Sequence, residues 1–287
     1  VVESVAGKTD AQAQAIGAVG EKLMDAIARQ PEQGEMLCAS FAQVADAVSE
    51  ISDARVLAVG QVGASRIDLE VSIPELSDKA SQAFSYLSQL ILKSTQTAAQ
   101  AQAMGKIGAR WMADLRYNSD GHDEYRRIVD EAEHRVRDCS DAQAQALGEI
   151  GAATMDAQRR NVGNYSISKV LQMLLEFSMY KDCPDAEAEA WGKIGTAAMT
   201  AISRRPAFAE EACLKYLESM TKMFRKGCTD IEAAAVAEPL AAMMAAGENQ
   251  SAGKALEQLK YPEEIFNLVR GLDDRRGMAV GEACAGA

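Results

Sequence analysis

Aromatic residues make up only 5% of this chain. No run of apolar residues approaches the length of about 18 that a membrane-crossing helix needs, so a transmembrane segment is not expected. Histidine is scarce, at two residues, and the six cysteines include no Cys-x-x-Cys pair. That usage argues against a disulfide framework and against a zinc site, and it points to a reducing, cytoplasmic setting, with export to another cell left open. Cations are in deficit, 30 Lys and Arg against 42 Asp and Glu, which leaves a formal charge of −12. Nucleic-acid binding draws most of its affinity from neutralised phosphates, so it is not expected here. The opening residues, VVESVAGKTD, lack a methionine, a basic start and an apolar stretch. The chain is therefore read as a mature product, or as a fragment of a longer array.

The remainder is 48% hydrophobic and 25% charged, the balance of an ordinary soluble folded protein. Alanine, glutamine and methionine are abundant, a mix that favours helices packed closely through small side chains.

A repeat runs through the chain. Pairs of glycines three apart occur at Gly17 and Gly20, Gly60 and Gly63, Gly105 and Gly108, Gly148 and Gly151, and Gly192 and Gly195. The first glycines are separated by 43, 45, 43 and 44 residues. Two weaker copies continue the series at Ala237 with Leu240 and at Gly281. Two residues before each first position stands Ala15, Ala58, Ala103, Ala146, Ala190, Ala235 or Ala279. Seven residues before it stands Asp10, Asp53, Asp141, Asp185, Asp230 or Asp274, with Ala98 the exception.

The start of each copy has a local cause. Thr9 with Gln12, Thr97 with Gln100, Ser140 with Gln143 and Thr229 with Glu232 fit a capping box, in which a hydroxyl and a Gln or Glu satisfy free amides reciprocally. Pro184 and Asp185 open the fifth copy differently. Each start predicts a helix of roughly 18 residues, five turns or so, ending near Arg29, Arg116, Arg160 or Arg205. Before it lies a second helix of larger apolar residues, as in Phe84 to Leu92, Val170 to Tyr180 and Leu214 to Phe224, at amphipathic spacing. A proline at position 262 falls mid-helix by alignment and is expected to kink or split that copy.

The run KVLQMLLEFSMYKDCPDAEAEAWGKIG resembles a HEAT-like (HEAT/armadillo-type) repeat, an apolar helix, a turn and a second helix of the form D-x-x-x-x-A-L-G-x-I. The resemblance covers about Asp10 to Gly281 and implies an all-α fold. It implies an α-solenoid of about six to seven two-helix units of 43–45 residues, as a single domain over 1–287. It carries no catalytic residues and no cofactor.

Glycine within a helix costs about 1 kcal/mol relative to alanine, so ten of them would cost on the order of 10 kcal/mol. Two arrangements offset this: the missing side chains let a neighbouring helix approach closely, or the glycines break the helix in two. A phosphate-binding loop at RVLAVGQVGAS (55–65) is not expected, since it lacks both a third glycine and a Gly-Lys-Ser/Thr ending.

By the resemblance, the glycine-bearing helices line an inner groove. Their polar stripe carries Gln61, Lys106, Glu149, Lys193 and Glu238, with Arg110 and Asp68 one or two turns along. Identity changes from copy to copy while packing positions hold, which fits a surface that reads a protein or peptide partner. A solvated helix face would have the same pattern. Arg116, Arg160 and Arg205 would line a basic edge, or merely satisfy helix ends. Cys139, Cys183 and Cys228 precede the caps and read as small turn residues. His122 and His134 lie in a charged helix expected to be the most exposed of the outer set. They are too far apart for one metal site, about 18 Å along a helix axis.

The function expected is a non-enzymatic protein–protein interaction scaffold that grips a peptide or partner domain, with no nucleic acid, membrane or small-molecule substrate. The alternatives are the solenoid part of a larger protein whose activity lies elsewhere, and a HEAT-repeat enzyme of lyase type.

Overall fold

The computed structural model describes residues 2–117, 122–161, 165–180, 182–247 and 261–270, together with 276, 277 and 279. Among these every regular element is helical. In chain order they are α1 (Val2–Val5), α2 (Asp10–Arg29), α3 (Gly34–Ser49), α4 (Arg55–Ser72), α5 (Ser77–Ser94), α6 (Ala98–Asp114) and α7 (His122–Val136). They continue as α8 (Asp141–Arg160), α9 (Tyr165–Ser178), α10 (Asp185–Arg204), α11 (Leu214–Phe224), α12 (Asp230–Ala246) and α13 (Tyr261–Val269). The chain divides into two compact units, Val1–Arg137 and Asp138–Ala287.

In the first unit the glycine-bearing helices α2, α4 and α6 pack in succession, α3 lies against α2 and α4, and α5 lies against α4 and α6. In the second, α8, α10 and α12 pack in succession, with α9 against α8 and α10 and with α13 against α11 and α12. This neighbour-to-neighbour packing is compatible with a helical-repeat architecture.

The glycine pairs lie inside unbroken helices, so the packing explanation holds and the broken-helix one does not. A Cβ on Gly60 would sit 2.7 Å from the Ala15 methyl, and one on Gly105 would sit 2.8 Å from that of Ala58. One on Gly192 would meet Ala146 at 3.1 Å. The first glycine of one copy thus rests on the recurring alanine of the copy before. The second glycine faces larger side chains, Val44 for Gly63, Leu87 and Val62 for Gly108, and Ile150 and Leu174 for Gly195. Small residues at the first position bring two helix backbones together; small residues at the second admit a branched side chain into the gap.

The four expected capping boxes all form, at Thr9, Thr97, Ser140 and Thr229. Their glutamines do more than cap. The Gln12 side chain accepts the Thr9 N–H at 2.9 Å, and its Nε2 donates to the carbonyls of Ser49 at 3.0 Å and Ile51 at 2.9 Å. Gln143 repeats this, donating to the carbonyls of Ser178 and Tyr180, both at 3.1 Å. One amide therefore ties the start of one helix to the closing turn of the helix that follows it, α2 to α3 and α8 to α9, where carbonyls lack helical partners. Gln12→Ala is expected to cost about 1–3 kcal/mol, because it leaves buried backbone groups unpaired. Equilibrium urea unfolding measures it, and a loss no larger than for an exposed Gln14→Ala would refute the tie.

In the second copy α4 starts at Arg55, and the Asp53 carboxylate accepts the Arg55 N–H at 3.0 Å. As expected, these helices end near arginines: α2 at Arg29, α6 at Asp114, two residues before Arg116, α8 at Arg160, and α10 at Arg204, beside Arg205. The proline at 262 stands in the first turn of α13, where its missing N–H has no helical partner to lose; residues 248–260 lie outside the described residues, and the expected kink or split of that copy falls partly on them. Helix α7, expected to be the most exposed, buries Tyr125, Val129 and Val136 at 0% and Ala132 at 1%. Its apolar residues are few, yet their three- and four-residue spacing gathers them on one stripe. His134 on this helix is exposed; the His122 side chain, Gly281 and Asp274 lie outside the described side chains.

Candidate partner-binding site

The stripe proposed from sequence is polar and largely in solvent. Gln61 on α4, Lys106 on α6, Lys193 on α10 and Glu238 on α12 are exposed, while Glu149 on α8 is half-buried. The helices place them there for a simple reason. Each follows the first position of its pair by one residue (a glycine in four copies and Ala237 in α12), about 100° around the helix from that packing position.

Two of these side chains meet directly. Lys193 Nζ lies 2.5 Å from Glu238 Oε1, with the side chains 50% and 59% exposed. In the first unit Lys22 on α2 and Asp68 on α4 make an equivalent cross-helix pair at 3.1 Å. Opposite charges on adjacent helices, α2 with α4 and α10 with α12, are therefore set side by side. Arg110 pairs with Asp114 along α6 at 3.7 Å, and Asp114 is buried.

The arginines at helix ends engage nearby groups. Arg116 donates through Nε to the Ala113 carbonyl at 2.9 Å, and its guanidinium lies 5.0 Å from the Tyr117 ring centroid. Arg205, half-buried, donates to the Gly247 carbonyl at 3.2 Å. Arg160 is exposed as the last residue of α8. Arg29 lies 3.8 Å from Asp25. Helix-end chemistry accounts for the contacts of Arg116 and Arg205.

Two polar clusters escape the sequence reading. In the first unit Arg66 is 2% exposed and Glu70 0%. Arg66 donates through Nε to Glu70 at 2.8 Å, through Nη1 to Gln43 at 2.9 Å and through Nη2 to Ser40 at 3.1 Å. The Phe84 ring covers the guanidinium at 5.5 Å. The pattern Arg-x-x-x-Glu reads as an ordinary surface pair. The available signal was register, since the equivalent positions Leu23, Trp111 and Met243 are apolar.

In the second unit Glu187 is 4% exposed, at the position that Gln12 and Gln143 hold in their copies. It accepts hydrogen bonds from Tyr180 Oη at 3.0 Å and from Trp191 Nε1 at 3.4 Å. Burial pushes its carboxyl above the usual range; the Tyr180 and Trp191 hydrogen bonds and the Arg225 charge oppose the shift without cancelling it. Cys183 beside it is pushed up to about 12, chiefly by burial and then by the Glu187 charge. Trp191 also packs between Phe177 and Phe224, with centroids at 5.5 and 5.1 Å.

A hollow of about 80 Å³ between α11, α12 and α13 is lined by Met223, Lys226, Glu232, Glu263, Phe266 and Arg270 among others. That is small beside ligand pockets of about 300–1,000 Å³. Among the described residues no group of three or more His, Cys, Asp or Glu is placed to hold a metal ion, and no helix is long and apolar enough to cross a membrane. No protein-family model matches this chain, and no curated protein or solved structure matches it either.

Proposed function

We propose that the chain is an α-solenoid of HEAT/armadillo-like units acting as a non-enzymatic interaction scaffold, which grips a peptide or partner domain along its glycine-bearing helices. One observation carries the reading. Glycine rests on alanine at Gly60, Gly105 and Gly192, while the polar position one residue beyond the first of each pair is Gln61, Lys106, Glu149, Lys193 and Glu238 in turn, exposed in all but the half-buried Glu149. Constant packing beneath a variable polar stripe is what a repeat array uses to read a partner.

The exposed pairs do not weaken this reading. An ion pair as solvated as Lys193 with Glu238 contributes about 0–1 kcal/mol, so a partner can exchange it at little cost to the fold. Asp68 with Lys22, and Arg110 with Asp114, would frame the same face. Arg116, Arg160 and Arg205 would then form its basic margin, attracting acidic segments to a chain that is otherwise net negative.

The test is affinity capture from cell extract with mass spectrometry. The chain is compared with a variant carrying Lys106→Glu, Glu149→Lys and Lys193→Glu. The variant is expected to keep its helicity and to lose the specific partners by about tenfold or more, since several charge reversals together exceed about 1.4 kcal/mol. Recovery of the same proteins in the same amounts would remove the groove as the binding face.

A further inference from the structure

The face by which one copy joins the next is open in the first copy and in the last. In α4, α6 and α10 the first glycine of the pair rests on the alanine of the copy before, and a Cβ on Gly60, Gly105 or Gly192 would lie 2.7, 2.8 or 3.1 Å from that methyl. The same stripe continues two turns along each helix, because seven residues return a side chain to within about 20°. There stand Ile67, Met112 and Met199, all buried at 0%. Helix α2 carries this stripe bare. A Cβ on Gly17 would meet nothing within 4 Å, and Met24, seven residues on, is 60% exposed. Ala13, one turn before Gly17, is half-buried, whereas its counterparts Val56, Ala101 and Ala188 are buried. Helix α1 lies against α2 and leaves Met24 in solvent.

The other half of the joint is exposed in the last copy. The recurring alanines Ala15, Ala58, Ala146, Ala190 and Ala235 are all buried. Ala279, the last of that series, is helical and exposed. Its surroundings are in register with the repeat. Gly277 holds the place that Ala13 holds in the first copy, and a Cβ on it would lie 4.0 Å from the Ala235 methyl. Two residues on, about 200° around a helix, Ala279 faces away from that contact.

We propose that copies of this chain associate head to tail: the Ala279 face of one copy seats on the Gly17–Met24 face of α2 in the next. The joint is the one that already links successive copies within the chain, glycine on alanine with the apolar residue two turns on covered. A two-fold pairing of α2 with α2 would leave the exposed Ala279 unused. Because the two halves differ, the association is heterologous, so each copy offers one face of each kind and assembly continues past two. Glu21 is exposed beside Gly17, where later copies have the half-buried Ala64, Ala109 and Thr196, so this joint is weaker than the internal ones and reversible. It lies about 100° around the helix from the polar stripe, and its test is separate from that of the binding groove.

Sedimentation velocity of the intact chain over roughly 10–500 μM, the range of a weak interface, is expected to show species that grow beyond dimers with concentration. Met24→Lys and Ala279→Arg change exposed side chains, so each variant keeps its fold, but each would bury a charge in the joint and stay monomeric. Mixed in equal amounts, the two should form dimers and stop there, since one open Gly17 face and one open Ala279 face remain. Gly17→Ala is accommodated within the single chain but sets a methyl about 3 Å from the incoming alanine, and it should weaken association by about tenfold or more. A parent chain that stays monomeric throughout overturns the joint and leaves the α2 face to a helix of another protein. Association that Met24→Lys leaves unchanged overturns it as well. So does a mixture that stays monomeric, and so does dimerisation of Ala279→Arg by itself, which would mean pairing of α2 with α2.

Discussion

Gly105→Ala is expected to lower stability by about 1–3 kcal/mol, while Gly17→Ala raises it by about 0.5–1 kcal/mol. Both glycines take the first position of their pair and both lie within helices, so propensity alone predicts a gain at each. Their surroundings differ. A methyl on Gly105 would lie 2.9 Å from the Ala58 Cα, and backbone cannot turn aside. A methyl on Gly17 meets nothing within 4 Å. Gly195 should fall between them, because its nearest obstacle is side chain and not backbone, the Ile150 Cγ1 at 2.7 Å, which yields only with a costly change at the β-branch. Denaturant unfolding of the three variants gives the order. Similar shifts at positions 17 and 105 would mean that the glycines answer to something other than helix contact.

Glu70→Ala is expected to cost about 3–5 kcal/mol, among the largest effects of any single change in the first unit. The reason is not the worth of the ion pair but what the change leaves behind. Arg66, at 2% exposure, would keep its charge with only Gln43, Ser40 and the Phe84 ring around it. Replacing both members, Arg66→Met with Glu70→Leu, should recover most of the loss, since apolar groups of similar volume need no solvation. The cycle of single and double variants, followed by chemical unfolding, separates the two contributions. A cost below about 1 kcal/mol for Glu70→Ala would show that water reaches the pair.

The helices and the reason for their glycines were legible because both are local chemistry repeated several times. Thr9, Thr97, Ser140 and Thr229 each announce a helix start within four residues, and the recurring Ala and Gly mark one face. What was not legible depended on neighbours far along the chain. Gln12 reads as a capping residue, and its second set of bonds, to Ser49 and Ile51, needs a helix almost 40 residues away. Arg66 with Glu70 reads as a surface pair until α3 and α5 are packed over it. Lys193 and Glu238 belong to one stripe in the sequence, but their 45-residue separation hides that the two side chains are in contact. The sparse apolar residues of α7 were judged by their number, whereas their alignment on Tyr125, Val129, Ala132 and Val136 decides their burial.

The glycine-on-alanine contact has a consequence for how such a chain can change over generations. Gly60 rests on Ala15 and Gly105 rests on Ala58, so the joining surfaces are interchangeable. Excision of one unit between them would lower Gly105 onto Ala15, methyl for methyl, and tandem duplication would insert the same joint once more. Length can therefore drift in steps of one unit without inventing a new interface, whereas a gain or loss of a few residues inside a helix would carry every later glycine off its alanine.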